Sequence, residues 1–278
     1  MRMISSPSQP ATPASASHAA WWWPANKPVL NGRVEHLYLQ PVRGQPGVAL
    51  APDAAMRCKA GLGIHGDVHA HRLSPRQVLV TLASELRDLR IAPGALLENI
   101  VISSDRPELF RPGSALLTAS GVEIRLTMFC EPCKRIAPVA ADFSRLVHRR
   151  GVLGVFATGG EIRIGDAVRL IGERYTPLPE SAYQKFLAFV PTIPPGRVVR
   201  YVDVTVAIGV AGGFVRALPG YIRRSAGLGL PLHRIVNARG ALLPFIPGQA
   251  GKLLAEGVIQ RSDAATVDLA AFLWQGAA

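Results

Sequence analysis

Short runs of hydrophobic residues, separated by turn-forming residues, fill the chain from Gly32 to about Gly172. RVEHLYL, RQVLVTL, VEIRLTMF and GVLGVFA are examples, with Gly, Pro and Asp between them. Short β-rich runs at regular spacing are typical of a barrel or folded sheet. The run SPRQVLVTLASELRDL is expected to begin as a strand and continue as a helix, because Leu86 and Leu89 are spaced for one helix face.

The pattern changes after ERYTPLPES, a segment of turn-forming and polar residues. SAYQKFLAFVPTI, DVTVAIGVA and AGKLLAEGVI have helical spacing, with loops rich in Pro and Gly between them. We therefore predict a mainly β, barrel-like domain over residues 32–172, a linker at 173–180 and a mainly α domain over 181–278. Residues 1–31, rich in Ser, Ala and Pro, are predicted to be a disordered leader.

Composition limits the classes of protein. Of the 278 residues, 49% are hydrophobic, which is enough for each domain to bury a core. No segment reaches the roughly 18 to 20 uninterrupted apolar residues of a membrane span, and the leader lacks the apolar core of a signal peptide. We expect a cytoplasmic protein with no membrane partner. Because the leader is poor in acidic residues, an organellar transit peptide is the alternative.

The charge indicates an anionic partner for the second domain. The chain has 31 Lys and Arg against 19 Asp and Glu, a formal charge of +12. From Ser181 onward, ten basic residues stand against four acidic ones, which leaves +6 in barely a third of the chain. A polyanion such as nucleic acid is a reasonable partner for this part.

Three cysteines, Cys58, Cys130 and Cys133, are too few for a disulfide framework, which suits a reducing compartment. Two of them lie close together in CEPC, which is also half of a zinc site. A complete site would need Cys58 and a histidine from the set His65, His69 and His71 to converge on it. We predict no metal site and keep zinc as the alternative.

Four ordered motifs in the second domain resemble the O6-alkylguanine-DNA alkyltransferases. They are IPPGRVVRYVDVTVAIG, RALPGYI, PLHRIVNARG and KLLAEGV, within roughly Tyr183 to Val258. The resemblance implies a winged-helix-like DNA-binding fold. In that family a cysteine within Pro-Cys-His-Arg accepts the alkyl group, and Leu232 stands at that position here.

Leucine cannot accept an alkyl group, because the reaction needs a thiolate. The rest of the motif is present: His233 matches the family's base and Glu256 the glutamate that orients it. This pattern looks like the alkyltransferase-like proteins, which bind alkylated guanine without repairing it and flag it for other repair machinery. The implied partners are double-stranded DNA containing alkylated guanine and nucleotide excision repair proteins. The implied lesion pocket consists of Leu232, His233, Arg234, Asn237 and Glu256.

The resemblance also implies residues that contact DNA. Tyr201 matches the tyrosine that presses on a phosphate during base rotation, and the alternative is an aromatic residue packed on the core. Arg216 matches the arginine that replaces the extruded base, although strict spacing from Tyr201 selects Val215 instead. Arg223 and Arg224 suit phosphate contacts.

Two departures from the family pattern affect this region. Pro219 stands where the family has a helix-compatible glycine. The family's asparagine hinge is not visible, and Arg224 and Ser225 occupy its place. Pro219 bears on the assignment of Arg216, and the missing hinge bears on the geometry between the DNA-reading helix and the pocket.

A second resemblance covers about Leu37 to Leu170. Four segments resemble the MOSC domain, the C-terminal domain of molybdenum cofactor sulfurases and their free-standing relatives. They are CEPCKRI, RRGVLGVFATGGEIRIGDAV, LLENIVI and GIHGDVHAHR. Leu97 stands in place of a glycine of that family.

The MOSC resemblance implies that Cys133 carries sulfur as a persulfide or binds the molybdenum cofactor or a related pterin. Lys134 and Arg135 beside it favour the thiolate. Glu98 and Asn99 are the polar pair expected to hydrogen-bond a pterin, or else a capping pair at a strand end. Lys134 and Arg135 complete the predicted cofactor-binding set.

The two resemblances together predict a protein that flips and binds O6-alkylguanine-type bases without alkyl transfer, joined to a MOSC domain with a sulfur-carrier or cofactor-binding role. The alternative is a MOSC sulfur-transfer enzyme in which the basic helical domain is a targeting or binding module.

Overall fold

The computed structural model describes residues 31–140 and 142–276. The predicted leader, apart from Asn31, lies outside these residues. None of the helices formed within these ranges combines the length and the hydropathy needed to cross a bilayer.

Strands dominate the first part of the described chain. In chain order they are β1 (Gly32–Leu39), β2 (Val48–Ala49), β3 (Met56–Lys59), β4 (Gly63–Ile64), β5 (Val78–Leu82), β6 (Ile100–Ser104), β7 (Ala115–Thr118), β8 (Glu123–Phe129), β9 (Val152–Phe156), β10 (Gly160–Ile162) and β11 (Ala167–Ile171). Helix α1 (Ala83–Leu89) follows β5 directly, as the sequence pattern predicts.

Seven of these strands close into a barrel. Their order is β11, β7, β8, β9, β5, β6 and β1, and β1 pairs back to β11. Neighbouring strands are antiparallel except β5 and β6, which are parallel. Phe156, Leu37 and Ile124 are among the buried apolar side chains of the barrel's main core cluster. Closure leaves these seven strands without an unpaired edge and confirms the predicted barrel-like fold.

Helix α1 packs against the loop that follows β8. Ala83, Leu86 and Leu89 join Ile136 and Leu146 in an apolar cluster separate from the barrel interior. Each large apolar side chain buried in this way contributes about 2 kcal/mol. The cluster fixes the segment after CEPC to the barrel.

Helices and irregular turns form most of the rest. They are α2 (Ala182–Phe189), α3 (Tyr201–Ala207), α4 (Leu218–Arg224), α5 (Gln249–Ala255) and α6 (Leu269–Phe272), with a parallel pair of short strands, β12 (Val199–Arg200) and β13 (Ile235–Val236). The hydroxyl of Ser181 accepts a hydrogen bond from the Gln184 N–H and caps α2. Pro219 lies in the first turn of α4, where its missing N–H breaks no helical bond. This departure from the alkyltransferase pattern therefore leaves α4 intact.

The predicted linker is attached to the barrel. Glu123 of β8 accepts hydrogen bonds from the Arg174 guanidinium and the Tyr175 hydroxyl. These hydrogen bonds lower the pKa of Glu123 against the opposing effect of burial. Arg174 and Tyr175 thus extend the barrel surface beyond β11.

The helical part docks onto the barrel near the end of β8. Nη1 of Arg76 donates to the Gly209 carbonyl at 3.2 Å, and Nζ of Lys185 lies 3.8 Å from Sδ of Met128. Burial, assisted by the charge of Arg76, lowers the pKa of Lys185. Gly209 has a φ of +67°, and a Cβ here would lie 2.9 Å from atoms of both Met128 and Pro75. The close approach therefore requires glycine at this position.

Gly209→Ala is expected to lower the free energy of unfolding by about 1 to 2 kcal/mol, because a side chain is strained at this φ and its Cβ meets the barrel. Gly248→Ala is the matched control, since Gly248 has nearly the same φ (+66°) and no atom of the described residues crowds a Cβ there. Urea denaturation of the full chain measures both variants. Equal losses would contradict the role of Gly209 in docking.

Candidate functional site

Two of the predicted pocket residues, His233 and Arg234, meet at the carboxylate of a third, Glu256. Oε1 of Glu256 lies 2.8 Å from Nε2 of His233 and 2.7 Å from Nη2 of Arg234. Oε2 of Glu256 accepts the Gly196 N–H at 3.0 Å. Burial alone would raise the pKa of Glu256, but the hydrogen bonds from Arg234 and His233 lower it to about 2. The predicted contact between His233 and Glu256 is present, and Arg234 and Gly196 add to it.

Local structure places these side chains. Leu232, His233 and Arg234 form one 3-10 turn that runs into β13, while Glu256 directly follows α5. The buried amide of Gln249 donates from Nε2 to the carbonyls of His233 and Ile235, and its Oε1 accepts the Leu243 N–H. Gln249 was missed by sequence reasoning, since a glutamine at the start of a helix gives no signal of burial.

Leu232 is only 6% exposed and packs in the larger apolar cluster of the helical part, with Phe186, Val204 and Ile235. A buried side chain of this size stabilises the fold by about 2 kcal/mol. Leu232 therefore serves as a core residue beside an intact His233–Glu256 pair.

Asn237 is part of a turn next to the pocket. Its Oδ1 accepts the N–H groups of Arg239 and Ala241 at 2.8 and 2.9 Å. Both hydrogen bonds fix the turn after β13, as asparagine commonly does.

Tyr201 begins α3. Asp203 holds the preceding residue by accepting hydrogen bonds from the backbone and guanidinium of Arg200. The ring of Tyr201 packs on the core cluster, and its buried hydroxyl has no hydrogen-bond partner among the described residues. Burial raises the pKa of Tyr201 against the influence of the Arg223 charge. The packing agrees with the structural alternative, whereas the unpaired hydroxyl is a donor that the core does not use.

The structure distinguishes Arg216 from Val215. Both lie in the 3-10 helix Gly212–Ala217, where Val215 packs against the core cluster and Arg216 is exposed. Arg216 is therefore the residue that can reach a ligand from this turn.

Arg223 and Arg224 are exposed at the end of α4, and each guanidinium lies over an aromatic ring. Arg223 is 4.5 Å from the ring centroid of Phe245, and Arg224 is 4.1 Å from that of Tyr183. The Tyr183 hydroxyl in turn lies 3.0 Å from Oγ of buried Ser225, at the place of the missing asparagine hinge. Stacking restrains both arginine side chains while leaving their charges near the surface.

The stretch of sequence from α3 to α5 has an unusual charge pattern. From Val204 to Ala255 the sequence contains no Asp or Glu, but it contains six basic residues: Arg216, Arg223, Arg224, Arg234, Arg239 and Lys252. Arg234 is paired with Glu256, and the other five are exposed. We call these five residues, grouped by sequence and exposure, the cationic surface.

A second group of polar residues lies at the barrel, around Cys133. Nη1 of Arg150 lies 3.3 Å from Sγ of Cys133 and donates to the Glu131 carbonyl at 2.6 Å. Burial of the thiolate opposes ionisation, but the Arg135 N–H and the Arg150 charge outweigh it and lower the pKa of Cys133. Arg150 was missed because an arginine in HRRG gives no sign that it is almost fully buried.

Glu98 and Asn99 have different surroundings. Glu98 is fully buried; its Oε1 accepts the Gly94 N–H, while its Oε2 has no partner within the described ranges. Burial raises the pKa of Glu98. The amide of Asn99 accepts the Leu79 N–H and donates to Oδ2 of Asp67, as a brace between strand ends does. Of these two residues, only Glu98 has a side-chain oxygen, Oε2, without a hydrogen-bond partner among the described residues.

The two basic residues after Cys133 and the two other cysteines differ in exposure. Lys134 and Arg135 are exposed. Cys130 and Cys58 are buried, and burial raises the pKa of Cys130 and brings that of Cys58 to about 12. In the part of the chain that the structure describes, no three His, Cys, Asp or Glu side chains are grouped closely enough to hold a metal ion.

The comparisons with known proteins concern the barrel first. Residues 64–169 match the family model of the MOSC domain. This confirms the resemblance carried by CEPCKRI and GGEIRIGDAV, and we call residues 64–169 the MOSC region. A search of curated proteins finds no match.

Three solved structures are similar to parts of the chain. YuaD from Bacillus subtilis is 18% identical over 50% of this chain and 95% of its own, with a TM-score of 0.43. YiiM from Escherichia coli is 15% identical over 69% and 93%, with a TM-score of 0.37. S. pombe Atl1, in complex with damaged DNA containing O6-carboxymethylguanine, is 24% identical over 34% and 94%, with a TM-score of 0.30. These TM-scores are low, and the similarities carry no weight in assigning a function.

Cys133 is expected to be the fastest of the three cysteines to react with iodoacetamide at pH 7, because only its pKa is lowered. Peptide mass spectrometry over time gives the three rates in one sample, with Cys58 and Cys130 as internal references. Arg150→Gln should slow alkylation of Cys133 severalfold, and Arg150→Lys, which keeps the charge, should slow it less. Equal rates at all three cysteines would indicate a structural role for CEPC.

The stability that Glu256 provides is expected to depend on pH. Its pKa falls from 4.5 to about 2 on folding, so its contribution is complete above about pH 5 and is lost as the pH falls towards 2. The shift corresponds to about 3 kcal/mol. Urea unfolding from pH 7 to pH 3 should show this loss, and Glu256→Gln should remove it. Asp263→Asn, in an exposed ion pair, is the control and should keep the wild-type pH dependence.

Proposed function

We propose that the helical part recognises O6-alkylguanine-type bases in double-stranded DNA without transferring the alkyl group, and that the MOSC region has a sulfur-carrier or cofactor-binding role. The observation that carries the first half is an intact His233–Glu256 pair beside a leucine. Alkyl transfer would require a thiolate at residue 232, and the hydrocarbon side chain of Leu232 cannot form the new bond. Recognition without repair is the function that this arrangement supports.

The DNA-binding half rests on charge and placement. The cationic surface suits a phosphate backbone, because no acidic side chain occurs in the same stretch of sequence. Arg223 and Arg224, restrained by aromatic rings, are the proposed phosphate contacts. Tyr201, whose hydroxyl has no protein acceptor in the described part of the chain, is the proposed contact to the phosphate at the extruded base, and its buried hydroxyl would have to turn outward to reach that phosphate. Arg216 is proposed to take the place of the extruded base.

The winged-helix-like fold of the second domain belongs to this proposal. Helices α3 and α4 are joined by the turn that carries Arg216, and α4 then leads towards the turn of Leu232. In the proposed arrangement α4 would face DNA, and the lesion would be read by residues that follow α4 in the chain, namely His233, Arg234, Asn237 and Glu256. The resemblance to the alkyltransferase-like proteins also predicts that the protein recruits nucleotide excision repair proteins, and this stays a prediction.

For the MOSC region, the proposed functional group is the Cys133 thiolate beside Arg150. A thiolate is the form that carries sulfur as a persulfide. The same surroundings fit a pterin, because the buried Oε2 of Glu98 is an acceptor without a partner among the described residues and suits a ring N–H. Glu98 and Cys133, with Lys134 and Arg135 at the exposed rim, would hold a molybdenum cofactor, which supplies oxygen-transfer or redox chemistry when bound. The chain's own contribution is to orient the group and to favour ionisation of the Cys133 thiol, whose pKa is lowered.

The alternative, a sulfur-transfer enzyme with a basic targeting domain, is favoured by the same lowered pKa of Cys133. The two proposals differ in the DNA-binding specificity that they give to the helical part. A targeting module binds any duplex through phosphates, whereas a lesion reader distinguishes alkylated from normal guanine.

The test is a titration of the full chain with a duplex carrying one O6-methylguanine and with the same undamaged duplex, followed by fluorescence anisotropy. We expect at least tenfold tighter binding to the lesion and a steep loss of affinity with salt. Tyr201→Ala and Arg216→Ala should reduce the lesion preference more than the affinity for undamaged DNA. Arg261→Ala, in the exposed ion pair with Asp263, is the control and should leave both unchanged.

Mass spectrometry of the incubated protein completes this experiment and should find no added methyl group. Equal affinity for the two duplexes would favour the targeting alternative. Binding that does not respond to salt would remove the DNA role, and methylation of any residue would overturn recognition without transfer.

A further inference from the structure

A phenylalanine stands exposed within the cationic surface. Phe214 is 40% exposed and lies two residues before Arg216 in the 3-10 helix Gly212–Ala217. Single exposed apolar residues are common on protein surfaces and need no explanation by themselves. The surroundings of Phe214 make it different from the others.

The turn projects two side chains outward. A 3-10 helix has about three residues per turn, so consecutive side chains point about a third of a turn apart. Val215 points inward and packs on the core, which directs Phe214 and Arg216 to either side of it. A Cβ built at Gly212, Gly213 or Gly220 would have no atom of the described residues within 4 Å. The turn therefore protrudes, and its two outward-pointing side chains are the aromatic ring of Phe214 and the guanidinium of Arg216.

The chemistry of this tip fits stacked bases better than a phosphate backbone alone. A phosphate offers nothing to an aromatic ring, whereas every base offers a flat apolar face. Apolar side chains in DNA-bending proteins enter between base pairs and partly unstack them. The nearby cations and the absence of acidic residues from Val204 to Ala255 draw a polyanion to the same place.

We propose that Phe214 is the wedge that enters the base stack next to the extruded nucleotide. This inference rests on the proposed function and adds a residue that the alkyltransferase resemblance does not assign. The ring inserts at the base step beside the extruded nucleotide, while Arg216, on the other side of Val215, takes the place of the extruded base and pairs with its orphaned partner. Phe214 acts through stacking and makes no covalent bond.

The experiment uses the full chain and a duplex with 2-aminopurine beside a single O6-methylguanine. The fluorescence of 2-aminopurine rises when the base loses its stacking partners, and anisotropy of a terminal dye gives the affinity in the same samples. An undamaged duplex with 2-aminopurine at the same position is measured in parallel. The variants are Phe214→Ala, Phe214→Trp, which retains an aromatic ring, and Leu254→Ala, a control at a residue of similar exposure (38%) on α5.

With the wild-type protein, we expect a rise in 2-aminopurine fluorescence on the lesion duplex. Phe214→Ala should lose most of this rise and bind the lesion about tenfold more weakly, within the range found for base stacking on aromatic residues. Its affinity for undamaged DNA should change less than twofold. Phe214→Trp should keep the fluorescence rise, and Leu254→Ala should behave as the wild type.

The outcomes separate this inference from the proposed function. If the wild type prefers the lesion and Phe214→Ala keeps both the preference and the fluorescence rise, Phe214 is not the wedge, although lesion recognition stands. Equal losses on both duplexes, or loss of the rise in Phe214→Trp with its melting temperature unchanged, also overturn the wedge. If the wild type shows no lesion preference, the proposed function and the wedge fail together.

Discussion

The carboxylate of Glu256 joins three separate parts of the helical region. Through Gly196 it holds the loop before β12, and through His233 and Arg234 it holds the turn that leads into β13. Arg234 extends the connection by donating to the Ile193 carbonyl at 2.7 Å. A carboxylate with this many charged hydrogen bonds is expensive to replace, because losing one partner leaves the others buried and unpaired. The network therefore has a structural reason to exist whether or not residue 232 is a nucleophile. Leucine at that position joins the apolar core beside it.

Much of the framework could be predicted from the sequence. Local hydrophobic patterns predicted the change from strand to helix within SPRQVLVTLASELRDL and the barrel-like fold of the first part. Ordered motifs predicted the pairing of His233 with Glu256. Residues whose role depends on distant partners were not visible. Arg150 is buried against Cys133 and Gln249 braces two carbonyls, yet nothing adjacent in the chain marks either one. The docking role of Gly209 arises from Met128 and Pro75, which lie far away in sequence.

Rings and cations are paired repeatedly on the helical part. Arg223 rests on Phe245 and Arg224 rests on Tyr183, while Tyr183 also packs edge-on against Tyr221 at 5.2 Å. A guanidinium held in this way has fewer rotamers to lose when it meets a ligand. The exposed arginines are thus partly organised before any partner arrives. Among the described residues no guanidinium lies over the ring of Phe214, and this distinguishes Phe214 from Phe245 and Tyr183.

The docking of Gly209 onto the barrel has a consequence for anything seated on the following turn. Only a few residues separate Gly209, whose carbonyl accepts a hydrogen bond from Arg76, from Arg216 at the exposed tip. The contacts of Arg76 with Gly209 and of Met128 with Lys185 place the end of β8 close to the segment that leads to this tip. A long ligand seated on the tip would therefore lie near the barrel as well as on the helical part. How closely a second protein could approach the bound ligand would then depend on the barrel too.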